Sequence, residues 1–263
     1  MPALFVGHGA AIFTTSPADA THRFLAGWAG EVDAWEPVGI VVVSAHYLGH
    51  PLRMTGAGPL ATIHDHPAQA VLGYRYPGRG SAALGERVAG ALAGSGLIVE
   101  VDQGRGLDHG AWVPLSLLHP SGAAPILQLS LDAHGSPADH VAIGAALARL
   151  REEGILLIGS GGVTHNQEVF RRGFFGRGEV GVAEPFSREF DAWVCEVVTT
   201  RTGEDRARTL ARFGEHPSAR LAHPTVEHFL PLIVIVGAAG AGRGLRRFAG
   251  FQHSLSTAAF QFA

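Results

Sequence analysis

Lysine is absent from this 263-residue chain, and all 20 of its basic residues are arginines. Schiff-base chemistry on a lysine is thereby excluded. Cysteine is nearly absent as well. A single thiol, Cys195, rules out an internal disulfide and any cysteine-rich zinc cluster. It lies in FDAWVCEVV, a helical pattern in which a small, packed residue is a simpler reading than a nucleophile. Charge is sparse, at 16% of residues with a formal net of -3 and no basic run, so nucleic acid finds no electrostatic footprint. Long apolar stretches are also missing. The longest, residues 229–239, falls well short of the roughly 20 residues that span a bilayer. The start, MPALFVGHGAAIF, lacks the basic opening and long apolar core of a secretory leader. The expectation is a cytoplasmic protein with neither a membrane nor a nucleic-acid partner.

What the chain does have is a 46% hydrophobic composition and enough length to bury a large core. Short, nearly continuous apolar runs at residues 3–6, 39–44, 97–101, 125–131 and 154–159 read as strands buried on both faces. Helical patterns lie between them at 16–29, 81–93, 136–152 and 184–199. Ser136-Pro137 makes a good cap and first turn, and Ser187 is a candidate cap for the last helix. Residues 248–260 alternate loosely and suggest an added edge strand. No linker, repeat or low-complexity tract divides the chain. The expected fold is therefore α/β, a single domain over residues 1–263, with a mostly parallel central sheet flanked by helices.

Histidine is the excess: 15 residues, against three tyrosines and two methionines. His8, His46 and His165 each follow a predicted strand, where open parallel sheets gather ligands. Imidazoles delivered by separate strands to one edge are what a divalent metal requires, and they suit Zn, Fe, Cu or Ni. A fourth element, HPTVEHFLPL at 223–232, places Pro224 in a first helical turn, with Glu227 and His228 facing the same crevice. His223 and Glu227, four apart, form a competing pair on that helix. A fifth, GLDHGAWVPL at 106–115, offers His109 with Asp108 beside it to orient an imidazole. His50, His64 and His66 lie in a long loop able to cover the site. His22 and His140 fall within helices and read as surface residues, while His119, His134, His216 and His253 read as structural or solvated.

Taken in order, VGHGA (6–10), VVSAHY (42–47), YRYPGRG (74–80), GLDHGAWVPL (106–115), PILQLSL (125–131), IGSGGVTHN (158–166) and HPTVEHFLPL (223–232) resemble the class III extradiol ring-cleavage dioxygenases. This is the protocatechuate 4,5-dioxygenase catalytic-subunit superfamily, and the chain is most similar to its single-chain DOPA dioxygenase branch. The resemblance implies a non-haem Fe(II) site, found with zinc in some purified relatives, at the C-terminal edge of the sheet. It implies His8, His46 and His228 as metal ligands, with Glu227 or His223 as alternatives to the third. It implies His165 as acid/base beside the metal and His109 in the substrate pocket, also catalytic. The partners it implies are a small aromatic diol and O2; it sets no oligomeric state. Two other readings stay open on the same histidines: a zinc hydrolase using Glu227 as base, and a Memo-like binding protein. The chain departs from the family at HGAA (8–11), at Tyr47, and at HDHPAQA (64–70), a loop that shapes the substrate pocket.

Overall fold

The computed structural model describes residues 1–66, 73–176 and 178–263. Residues 67–70 of the HDHPAQA segment lie outside the described residues. Twelve strands are described: β1 (Ala3–Gly7), β2 (Gly39–Gly49), β3 (Leu52–Thr55), β4 (Gly58–Pro59), β5 (Arg79–Gly80), β6 (Val99–Asp102), β7 (Ile126–Asp132), β8 (Ile155–Gly161), β9 (Gly244–Phe248), β10 (Phe251–Gln252), β11 (Leu255–Ser256) and β12 (Ala259–Phe262). The helices are α1 (Ala11–Thr14), α2 (Ala20–Ala34), α3 (Ala82–Ala93), α4 (His109–Leu118), α5 (Pro137–Leu147), α6 (Gln167–Phe175), α7 (Pro185–Thr200), α8 (Gly203–Ala211), α9 (Ala219–Ala222) and α10 (Leu230–Ala239). Eight strands form one sheet in the order β6-β3-β7-β2-β8-β1-β12-β9, while β4-β5 and β10-β11 are separate ribbons.

The four central strands, β7-β2-β8-β1, run parallel; β12 and β9 extend that core antiparallel on one side, and β3 meets β7 antiparallel on the other. The continuous apolar runs follow from this placement. Successive residues of a strand point to opposite faces, and both faces are covered. Val41 and Val43 enter the layer packed by α3, α5, α7, α8 and α10, while Ile40 and Val42 enter the layer packed by α2 and α4. Phe5 and Leu157 join the first layer; Leu4, Val6, Leu156 and Ile158 join the second. The fold class expected from the alternating patterns is therefore present. The long apolar run near the end is α10, buried on nearly all sides against both α5 and the sheet. No helix among the described residues is long and apolar enough to cross a membrane.

Several local expectations are corrected. Residues 248–260 do not form an edge strand: they break into the β10-β11 ribbon, and β12 lies inside the sheet between β1 and β9. The first long helix starts at Ala20, where Asp19 accepts from the Thr21 N–H, and not at Ser16. Ser136 does cap α5, in a reciprocal arrangement with Asp139 and with Pro137 in the first turn. Ser187 is not a cap. It sits within the first turn of α7, donating its hydroxyl to the Ser254 carbonyl. Pro224 does not open a helix either; α10 begins at Leu230, with Pro231 in its first turn, so Glu227 and His228 belong to the preceding turn.

Candidate metal centre

Each histidine is delivered by a distinct local device. His8 directly follows β1, its N–H donating to Gly161 O at 3.0 Å and its carbonyl accepting from Thr14 Oγ1 at 2.7 Å. His46 lies within β2, not beyond it. Between Val43 and Leu48 strand β2 advances five residues while β7 advances two, Leu129 to Leu131, so the chain bulges outward around His46. Bulges re-aim side chains beside functional sites. His228 hangs in the turn before α10, its carbonyl accepting from Gly162 N. That approach requires Gly161, where a Cβ would sit 2.2 Å from His228 O. His165 lies four residues past β8, anchored by its N–H to Ala222 O. His109 is the first residue of α4.

These five converge on one edge of the sheet. His46 Nε2 stands 3.3 Å from His8 Nε2 and 3.3 Å from His228 Nε2. The His165 ring stacks on His228 at 3.3 Å between centroids and 5° between planes, and His109 lies 4.0 Å from the His46 ring. The nitrogen donors of His8, His46 and His109 lie within 4.8 Å of one another, as do the donors of His165, Glu227 and His228. His46 links the two groups.

The far nitrogens decide which protons are present. Ser160 donates its hydroxyl proton to Gly110 O, so it accepts from His8 Nδ1 at 2.9 Å. The Glu227 carboxylate likewise accepts from His228 Nδ1 at 3.0 Å. Both rings therefore carry their proton on Nδ1 and turn a bare Nε2 toward His46. His46 Nε2 can offer at most one proton between two such neighbours. Buried lone pairs facing one another at this separation are costly unless a cation takes them up, so the donor set fits a divalent metal. Burial first, then neighbouring imidazoles, hold His8 and His228 well below the ordinary histidine range. The same causes place His46 at about 4 and His165 at about 3. All four are neutral at pH 7, the form in which imidazole binds metal.

A buried polar hub holds this arrangement from behind. Asp108 accepts from Ser44 Oγ at 2.7 Å, Arg105 Nη2 at 2.7 Å, Gln128 Nε2 and the Ala111 N–H, capping α4. Ser44 Oγ in turn accepts from the His46 N–H, and Arg105 donates to His46 O. Gly110 makes the contact possible, since a Cβ there would meet Ser44 Oγ at 2.4 Å. Asp108 thus fixes the backbone at His46 and does not orient the His109 ring, contrary to expectation. That place belongs to Asp65. One Asp65 oxygen stands 2.9 Å from His109 Nδ1 and also accepts from the His109 N–H at 3.0 Å. Burial alone would raise the Asp65 carboxyl, but the contact with His109 outweighs it and holds the group at about 2.

A cavity of about 490 Å³ opens above the cluster. The histidines form its floor, Asp65 and His66 one side, and α6 the opposite wall through Gln167, Phe170, Arg171 and Phe174. Sequence reading missed Asp65, Ser160 and the whole α6 wall. The wall had a signal: residues 167, 170, 171 and 174 recur at helical spacing behind Asn166, which caps α6 by accepting from the Val169 N–H. Of the other histidines, His223 donates from Nε2 to Val163 O at 2.7 Å and packs among Phe190, Phe213 and Phe229. It shares no helical face with Glu227. His140, expected at the surface, is fully buried. His50 pairs with Asp132 and His119 with Asp33, away from the cavity, whereas His66 reaches it.

The family described as the catalytic LigB subunit of aromatic ring-opening dioxygenase matches residues 3–260. A protein named 4,5-DOPA dioxygenase extradiol from Beta vulgaris is 36% identical over 240 residues, covering 90% of this chain and 86% of its own length. A protein of the same name from Escherichia coli (strain K12) is 33% identical over 248 residues, covering 90% and 85%. The crystal structure of the Escherichia coli K12 protein JW3007 superposes with a TM-score of 0.79 at 31% identity, covering 100% of both chains.

Proposed function

Since this chain belongs to the LigB family of aromatic ring-opening dioxygenases and is an extradiol ring-cleavage enzyme, we propose that it opens a catechol-type ring with O2 at one Fe(II) held by His8, His46 and His228. The observation that carries the ligand choice is the meeting of three Nε2 atoms whose outer rings are tied at Nδ1 by Ser160 and Glu227. Glu227 is engaged on that imidazole and on Thr225 Oγ1, which supports a role orienting His228 over a role as ligand. Bound there, Fe(II) supplies the electron transfer that lets O2 react with a closed-shell aromatic diol.

The protein's own residues do the rest. His165 is neutral, lies against His228, and lines the cavity, so one of its ring nitrogens accepts a diol hydroxyl proton. The same nitrogen is placed to return that proton as the ring opens. His109 binds the substrate from the other side, and Asp65 behind its Nδ1 steadies any proton it takes up. Phe170 and Phe174, stacked at 5.9 Å, supply an apolar wall for the ring and keep water from it. The same nitrogen donors also suit zinc, so metal content is measured first. The test is anaerobic Fe(II) loading followed by a panel of catechols under oxygen. A yellow ring-opened semialdehyde acid is expected; none from any catechol, with iron bound, overturns the proposal.

A further inference from the structure

Two residues that work against their own local structure meet on the rear face of α6. The β10-β11 ribbon turns through His253 and Ser254, whose φ angles are 46° and 73°. Asparagine and glycine suit such two-residue turns, whereas histidine and serine hold them at a cost. Ser254 is kept there by hydrogen bonds: its carbonyl accepts from Thr164 and Ser187, and its hydroxyl from the Glu184 N–H. The His253 ring instead packs on Phe13, Phe170 and Phe174, at 5.7, 6.0 and 6.4 Å between centroids. The second residue is Gly173, in the last turn of α6. Alanine is the better helix former, yet a Cβ at 173 would stand 2.8 Å from His253 Nδ1 and 2.9 Å from its Cβ. A helical glycine and a left-handed histidine thus make one close contact, each weakening its own element. Local costs of this kind persist where the surrounding structure needs them.

That contact stands between two cavities. The front face of α6, with Phe170 and Phe174, lines the cavity above the histidines. The rear face, with Val169, Arg172 and Gly173, lines a second cavity of about 360 Å³, which His253 also borders. A helix flanked by cavities on both sides has room to shift, and His253, only 5% exposed, is wedged behind its two phenylalanines. The same ribbon is tied to the floor. Gln252 Oε1 accepts from the Ala10 N–H at 2.8 Å, two residues past His8, and Leu255 lines the front cavity. The ribbon therefore refers the place of the wall to that of the floor. We propose that His253 is a positioning residue: acting through Phe170 and Phe174, it sets the separation between α6 and the histidines, and so the width of ring admitted. This rests on the ring-cleavage reading given above and adds what fixes the breadth of the substrate from outside the cavity lining.

The test is His253→Gly, which removes the ring and suits the left-handed turn, so the ribbon itself is not strained by the change. Gly173→Ala, alone and in combination, completes a double-mutant cycle. Catechol and the bulkier 4-tert-butylcatechol are compared on Fe(II)-loaded protein, by calorimetry with oxygen excluded and by kcat and KM with oxygen present. His253→Gly should raise KM for catechol about 10-fold, with kcat within about two-fold and iron content unchanged. The preference for 4-tert-butylcatechol over catechol should rise by about the same factor, the discrimination that a small change of shape gives in an apolar pocket. Gly173→Ala alone forces a methyl against the ring and should also raise KM. In the His253→Gly background that methyl enters the vacated space and should recover part of the loss. A residue serving only the turn would shift the melting temperature and leave KM and size preference unmoved, which overturns the proposal; so do strictly additive substitutions or loss of iron. If no catechol is opened by any of the proteins while the size preference still shifts in the calorimeter, the ring-cleavage reading falls and the positioning role stands.

Discussion

The cavity's floor and its α6 wall are built in opposite ways. On the floor, His8 and His228 are buried, each has its far nitrogen tied, and the backbone at His46 is fixed from behind by Ser44 and Arg105. Along α6 no residue is fully buried, and the side chains of Arg171 and Gln167 make no hydrogen bond or ion pair among the described residues. The floor rides on the central parallel strands, whose core cannot shift without disturbing two packed layers. The wall rests on a single helix with a half-buried apolar face. Metal chemistry tolerates little displacement of its ligands, whereas a substrate pocket gains from a wall that can be varied. The rigid half is suited to holding the metal and the adaptable half to choosing the substrate.

His46→Ala strikes the floor at its centre and should have the largest effect. Activity should fall more than about 100-fold, beyond the usual effect of removing a mere supporting partner, with the bound metal lost in elemental analysis. Retained metal at full stoichiometry would break the proposed ligand set. Ser160→Ala should follow, weakening metal affinity by about 10- to 100-fold in a chelator competition, because His8 loses the acceptor that fixes its proton on Nδ1. Asp65→Asn, at the junction of floor and loop, should lower kcat about 10-fold with metal content unchanged. A change in metal content instead would place Asp65 in the floor.

The buried imidazoles also give the floor a pH signature. His46 and His223 at about 4 and His165 at about 3 stay neutral when folded but take protons near 6.5 once unfolded. The unfolded state thus binds more protons between those values, and this contribution, complete above pH 6.5, is lost as pH falls toward about 4. The melting temperature of the metal-free protein should drop through that window, and a flat profile would contradict the burial. Phe174→Ala, on the wall, should be mildest: under about 1 kcal/mol of stability by denaturant melting, with a few-fold rise in KM. By comparison, Phe229→Ala in the core beneath the floor should cost about 3–5 kcal/mol.

The floor was more legible than the wall, for a physical reason. Parallel strands buried on both faces advertise themselves as continuous apolar runs, so GIVVVS and GILLIG locate β2 and β8, and the histidines that follow those runs in the sequence stand out. What the runs do not report is where a chain bulges or how turns close. The excursion that presents His46 and the turn that carries His228 depend on register and on close approaches at Gly110 and Gly161. Asp65 was invisible because its partnership with His109 joins residues 44 apart in the chain. Its neighbour Asp108 looked the better orienter on adjacency alone. Helix α6 was overlooked because its short apolar face is interrupted by Arg171 and Arg172.

The position of β1 sets an order of assembly. It is the earliest strand in the chain, yet its two neighbours, β8 and β12, begin at residues 155 and 259. Until one of them docks, β1 has no strand partner, and until both do its pairing is incomplete. Local helices form on far shorter timescales than such distant strand pairings. A nascent or refolding chain therefore acquires its helical layers and even β2 against β7 before the donor cluster exists. On the proposed ligand set, metal capture is then a late event, one that reports completion of the sheet instead of guiding it.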